Sequence, residues 1–107
     1  MDRIEVYRQL IQQQLTEVKR ILDTQPVSGV EVIYLFDTVQ DHYLLERQGW
    51  DTREGRVLYI TLYLRIKGGK IWIEQDMTNF GIVDKLLENG VLKEDIVLGF
   101  QDRKSVV

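Results

Sequence analysis

Three groups of residues in this sequence invite a chemical reading. The first is His42, the sole histidine, which follows Asp41. An imidazole beside a carboxylate is the raw material of a general base or a metal ligand. One histidine and no cysteine, however, leave a zinc site short of its usual ligands, so a structural or solvated histidine is expected. The second group is Glu74 and Asp76, two apart and therefore on one face of a regular strand. With Asp51 they have the oxygen donors for magnesium. A metal-dependent nuclease also wants a lysine close to its second carboxylate, and Glu74-Gln75-Asp76 offers an acid there. The expected role is a solvated strand end. The third group, Gly68-Gly69-Lys70, lacks phosphate-loop spacing and runs into a strand rather than a helix. No serine lies in a nucleophile-elbow context. The expectation is therefore no catalytic residue, no metal and no cofactor.

The elements that position these groups follow from periodicity. Ile4, Tyr7, Ile11, Leu15, Val18 and Leu22 recur at three and four and form one helical stripe. Asp2 suits its N-cap, and Pro26 forbids continuation. Strands are predicted over Val30 to Phe36 and His42 to Gln48, with a turn at Asp37 to Asp41 and a polar loop from Trp50 to Gly55. From Arg56 to Ile66 the even positions Leu58, Ile60, Leu62, Leu64 and Ile66 are all aliphatic. Lys67-Gly68-Gly69-Lys70 is a two-residue hairpin signal, since both turn residues need positive φ. That turn pairs Ile66 with Ile71, Leu64 with Ile73, Arg65 with Trp72 and Tyr63 with Glu74. A second helix is predicted with Thr78 or Asn79 as cap, Ile82, Val83, Leu86 and Leu87 buried, and Gly90 as its stop. Lys93 to Asp95 reads as a turn, Ile96 to Phe100 as an extended segment, and the tail from Gln101 as frayed.

The fold class is α+β: a long N-terminal helix packed on an antiparallel sheet of four or more strands, with a second short helix near the C-terminus. One domain is expected over residues 1–107. The long helix is expected to cover the aliphatic face. The opposite face then presents Tyr59, Tyr63 and Trp72 with Arg65 among the rings, and Tyr, Trp and Arg are the residues that supply most contact energy at interfaces.

Composition narrows the setting. At 44% apolar, 107 residues support one modest core. The absence of cysteine, of a signal-like N-terminus and of a membrane-length apolar run points to a cytoplasmic protein. The net charge of −3 is unevenly distributed: residues 24–46 carry −4, residues 47–70 carry +4 and residues 71–102 carry −5. One basic segment between two acidic ones is a poor footprint for phosphate neutralisation, so DNA contact is expected to be weak or indirect.

Several blocks together resemble one family. They are Tyr7-Arg8-Gln9-Leu10-Ile11, Asp41-His42-Tyr43-Leu44-Leu45 with Gly49-Trp50, and Lys70-Ile71-Trp72-Ile73-Glu74 with Asp76, Thr78 and Gly81-Ile82. The run Lys93 to Phe100 completes them. The chain is similar to XisI, the fdxN-element excision controlling factor of cyanobacteria. The resemblance implies control of a programmed DNA excision whose cutting is done by a separate recombinase, and an association with XisH, which looks like a restriction-endonuclease-type protein. It supplies no catalytic residue. The sequence departs from the family where Tyr63 and Arg65 stand for a frequent His and Asp, Asn79 for a Glu and Leu92 for a Pro.

The expected role is a non-catalytic regulator that binds an XisH-like protein. The alternatives are an antitoxin-like inhibitor of a nuclease-like partner and an accessory DNA-binding protein using Arg47, Arg53, Arg56, Lys67 and Lys70. A homo-oligomer, most simply a dimer, is expected through Tyr59, Tyr63, Arg65 and Trp72. The acidic residues Glu74, Asp76 and Asp84 are expected to meet a basic groove on the partner.

Overall fold

Residues 2–99 are described by a computed structural model. The first helix, α1, runs Arg3–Asp23; the Asp2 carboxylate accepts the Glu5 N–H at 2.8 Å, and Tyr7, Leu10, Ile11, Leu15 and Val18 form its buried stripe. Four strands follow: β1 Val30–Asp37, β2 His42–Asp51, β3 Gly55–Lys67 and β4 Lys70–Asp76. Then come α2 Ile82–Glu88, a 3-10 turn Lys93–Asp95 and β5 Ile96–Leu98. Phe100 and the tail lie outside the described residues. The sheet order is β1-β2-β3-β4-β5, antiparallel throughout the first four, with β5 parallel to β4. The short C-terminal segment thus becomes the fifth strand.

The Lys67–Lys70 hairpin forms as its glycines require, with φ of 60° at Gly68 and 77° at Gly69. Ile66 faces Ile71, Leu64 faces Ile73 and Arg65 faces Trp72. Two bulges then change the register. Thr61 is an extra residue between the Leu45–Leu62 and Glu46–Ile60 pairs, and Glu74 an extra residue between Leu64–Ile73 and Tyr63–Gln75. Tyr63 therefore pairs with Gln75, not Glu74. A bulge shifts side-chain alternation by one. Leu62, Leu64 and Ile66 face α1 as expected, but Leu58 and Ile60 turn to the opposite face, and Val57 and Tyr59 take the helix side. β2 is also longer than its pattern suggested, reaching Asp51, whose carboxylate accepts the Arg53 N–H at 2.7 Å to close the turn.

Both helices lie on the same side. Ile82 and Leu86 of α2 share one core with Ile11 and Leu15 of α1 and with Leu45, Leu62, Leu64, Ile71, Ile73 and Ile96 of the sheet. Neither Thr78 nor Asn79 caps α2. Its N-cap is Gly81, with no side-chain cap bond, while the Thr78 N–H and hydroxyl both donate to Asp76 Oδ1, at 2.7 and 2.6 Å.

Two polar clasps tie distant segments to α1. Arg8 donates through Nε and Nη2 to the two carboxylate oxygens of buried Asp41, at 2.8 and 3.2 Å, and the Tyr43 hydroxyl donates to Asp41 at 2.6 Å. Burial acts to raise the Asp41 carboxyl, but the Arg8 and Tyr43 hydrogen bonds outweigh it and hold it below the ordinary carboxylate value. Burial and then the Asp41 bond push Tyr43 up. Asp41 takes a left-handed conformation, φ 61°, which Asp tolerates better than most residues. At the far end, the Tyr7 hydroxyl donates to buried Asp95 at 2.7 Å and fixes the turn before β5. Gly49 explains its place beside Trp50: a Cβ there would run into the backbone of Gly29, whose carbonyl accepts the Trp50 N–H at 2.8 Å.

Candidate interaction surface

Strand pairing arranges the face turned away from the helices in rows. One row runs Asp37, His42, Arg65, Trp72 and Val97; the next holds Leu35, Leu44, Tyr63 and Gln75. Beyond them lie Ile33, Glu46 and Ile60, then Glu31, Gln48 and Leu58. Among the described residues neither helix covers this face. Its members range from buried Val97 on the short edge strand, through half-buried Tyr63, Arg65 and Trp72, to exposed Leu35, Leu58 and Trp50.

The sequence brings Tyr63, Arg65 and Trp72 together as expected. The Tyr63 hydroxyl lies 2.6 Å from His42 Nδ1, and the two rings tilt against one another at 5.9 Å. His42 is thus a neighbour of a phenol on an open sheet face, with no carboxylate bonded to its ring among the described residues. Arg65 Nη1 reaches Glu74 at 3.5 Å, while its Nε is buried without a partner among the described residues. Trp72 donates its indole N–H to the Lys67 carbonyl at 3.2 Å, and the Lys67 ammonium stands 5.6 Å from the ring centroid.

The remaining candidates lie elsewhere. Tyr59 is on the helix side, lining a cleft of about 460 Å³ with Leu22, Arg47, Thr61 and Phe80. The bulge at Thr61 put it there, so the four residues expected to form one self-contacting patch do not share a face. The acidic trio is also divided. Glu74 is the bulge residue beside Arg65, Asp76 is bonded to Thr78, and Asp84 is exposed in the first turn of α2. Among the described residues no three His, Asp or Glu side chains come together as a metal site would need.

The basic residues are scattered as well. Arg56 follows Gly55 at the start of β3 and Lys67 closes it, roughly 35 Å apart at strand rise, and Arg47 sits on the helix side beside Tyr59. Arg56 is occupied with the Gly49 carbonyl at 3.1 Å and the Trp50 ring at 5.8 Å. Sequence reasoning missed Leu44, Leu58 and Ile60 on the uncovered face. The hairpin register could have given Leu44, but a bulge at a β-branched Thr leaves no local signal for the other two.

No helix is long and apolar enough to cross a membrane among the described residues. A comparison with curated proteins finds no match. Among solved structures, the crystal structure of the fdxN element excision controlling factor XisI from Anabaena variabilis ATCC 29413 is 40% identical. It covers 94% of each chain, with a TM-score of 0.83. A XisI-like protein from the same organism is 33% identical over 92% of this chain and 88% of its own, with a TM-score of 0.84. The family model described as XisI protein matches residues 1–106. With the family model spanning nearly the whole chain and the overall fold shared with both solved structures, the chain belongs to the XisI family.

Proposed function

We propose that this chain is a non-catalytic regulator of programmed DNA excision that acts by holding a nuclease-like partner of the XisH type on its uncovered sheet face. The observation that carries the reading is the placement of both helices on one side, which among the described residues leaves Leu35, Leu58, Tyr63, Arg65 and Trp72 without a cover. An uncovered sheet face of aliphatic and aromatic residues favours a protein ligand over water. Tyr, Trp and Arg at its centre are the usual sources of binding energy. The Arg65 guanidinium, 30% exposed and held to Glu74 at a long 3.5 Å, keeps N–H donors that a bound carbonyl or carboxylate would satisfy. The excision controlling factor named among its relatives supports a regulatory setting. Arg47 on the helix side and Arg56 bonded to the Gly49 carbonyl argue against one continuous basic surface for DNA.

The test is co-purification with the XisH-type neighbour, followed by calorimetry on Tyr63→Ala and Trp72→Ala. Each replacement should weaken binding at least about tenfold, or roughly 1.4 kcal/mol, with far-UV circular dichroism unchanged. A complex that ignores both replacements but dissolves with salt would move the contact to the acidic side around Asp84. Absence of any complex would remove the partner. Adding the chain to a cleavage assay of the partner tells regulation by recruitment from antitoxin-like inhibition.

A further inference from the structure

The sheet has two edges, and they are unequal. β5 is three residues long, whereas β1 presents eight: Val-Glu-Val-Ile-Tyr-Leu-Phe-Asp. Soluble proteins guard edge strands with lysine, proline, bulges or a covering loop, because unpaired N–H and C=O groups recruit another strand. β1 contains no lysine or proline, its two charges Glu31 and Asp37 stand near its ends and leave Val32 to Phe36 uncharged, and its pairing with β2 runs without a bulge from Val30 to Asp37. The direction of its backbone is fixed. Trp50 N–H donates to the Gly29 carbonyl, so the odd residues bond toward β2. Val30 N–H points outward and is taken by the Val27 carbonyl at 3.0 Å, closing the upstream end. Val32, Tyr34 and Phe36 therefore aim their main-chain groups away from the sheet, and among the described residues none of these groups is paired with a further strand. Beside them Tyr34 is 46% exposed, Leu35 51% and Val39 87%.

We propose that a second copy of this chain occupies this edge, with β1 antiparallel to β1 across a twofold axis, so that two five-stranded sheets become one. An antiparallel strand is its own complement under such an axis. Charge and sterics select the register. Keeping both helix layers on one side requires odd residues to face odd and even to face even. Centring on Tyr34 sets Glu31 against Asp37 at both ends, a like-charge contact. Centring on Ile33 drives Phe36 of the second copy onto Val30, where Val27 already sits. Centring on Leu35 avoids both: Leu35 faces Leu35, Tyr34 faces Phe36 and Ile33 faces Asp37. This contact leaves Tyr63, Arg65 and Trp72 free and stands independently of the partner reading.

The full chain contains no cysteine, so Leu35→Cys carries a single thiol. At the axis it falls in a non-hydrogen-bonded pair, with Cα atoms about 4.5 Å apart, inside disulfide range. Mild oxidation should convert most of this variant to a covalent dimer. Glu31→Cys on the same strand should cross-link at least tenfold less. Light scattering of the parent chain should give twice its 12.6 kDa mass. Tyr34→Pro removes an outward N–H without touching the β2 ladder and should weaken the dimer at least a hundredfold with unchanged circular dichroism. A parent chain that stays monomeric at high micromolar concentration overturns the proposal. So does a dimer that Leu35→Cys fails to cross-link, or one that survives Tyr34→Pro. Should Tyr34→Pro lose its fold, the Leu35→Cys and Glu31→Cys pair decides alone.

Discussion

On the helix side of the sheet, Leu45, Leu62, Leu64, Ile71 and Ile73 are sealed from solvent; on the other side Leu35, Leu58 and Trp50 are each more than half exposed. Strands β2 and β3 supply members of both sets, so neither β-propensity nor hydrophobicity separates them. What differs is how the polar groups are finished. The covered side brings Asp41 and Asp95 into partnership with Arg8, Tyr43 and Tyr7. The uncovered side leaves Arg65 Nε without one among the described residues. A layer that buries its carboxylates against paired donors serves the fold. A layer with aromatic rings, a half-used guanidinium and exposed leucines is suited to a contact the chain does not itself provide.

If this division holds, replacements on the two sides must separate by kind. The largest effect is expected from Leu64→Ala, at a fully buried site. It should cost about 2–5 kcal/mol from lost transfer energy and the cavity left behind. For a chain this size each kcal/mol lowers the melting temperature by about 4–8 °C. Urea unfolding that shows less than about 1 kcal/mol would mean that the helix layer is not the core.

The clasp comes next. Asp41→Asn keeps a residue that accepts left-handed backbone while deleting the charge, and about 2 kcal/mol should be lost with the charged hydrogen bonds. The pH dependence has a definite sign. Asp41 titrates below its ordinary 3.8 in the folded chain. Its contribution is complete above that value and disappears as pH falls through the folded pKa, because the unfolded chain then binds the proton first. Stability plotted against pH should bend downward below about pH 4, and the Asp41→Asn curve should lack that share of the bend. Identical acid limbs for both proteins would deny Asp41 a role.

How much of this was legible before the fold was known depends on how local the information is. The stripe of α1, its Asp2 cap and the Gly68-Gly69 hairpin are each written within a few residues, and Arg65 opposite Trp72 follows from the hairpin alone. The clasps are not local: Arg8 meets Asp41 across 33 positions and Tyr7 meets Asp95 across 88. The apolar stripe of α2 says which side of the helix is buried, but not which face of the sheet receives it. The candidate surface was therefore half visible. Tyr63, Arg65 and Trp72 lie in register with the turn, whereas Tyr59 lies beyond the Thr61 bulge, where alternation had reversed.

That bulge offers the third test. Thr61 is buried, and its hydroxyl has no partner among the described residues. Thr61→Val keeps the β-branched shape and removes the unmatched oxygen, so stability should rise by about 1 kcal/mol. A loss of similar size in thermal or urea unfolding would assign the hydroxyl a hydrogen bond and tie the bulge to it.

The smallest effect concerns Leu58, and it sharpens the comparison most. Leu58 and Leu62 belong to the same even-numbered aliphatic run and would share a face on a regular strand. The extra residue at Thr61 parts them, leaving Leu62 fully buried and Leu58 58% exposed on the uncovered side. Leu62→Thr places a hydroxyl among aliphatic side chains and should cost about 2–4 kcal/mol, combining lost apolar burial with an unmatched polar group. Leu58→Thr makes the same chemical change four residues away. Threonine is a good strand former, and a half-exposed leucine loses little transfer energy, so the change in unfolding free energy should stay within about 0.5 kcal/mol. Equal losses at the two sites would mean that the strand alternates without interruption and that Leu58 belongs to the core. A large loss at Leu62 with none at Leu58, joined to weaker partner binding by Leu58→Thr, is the outcome that a fold-bearing face and a contact face require.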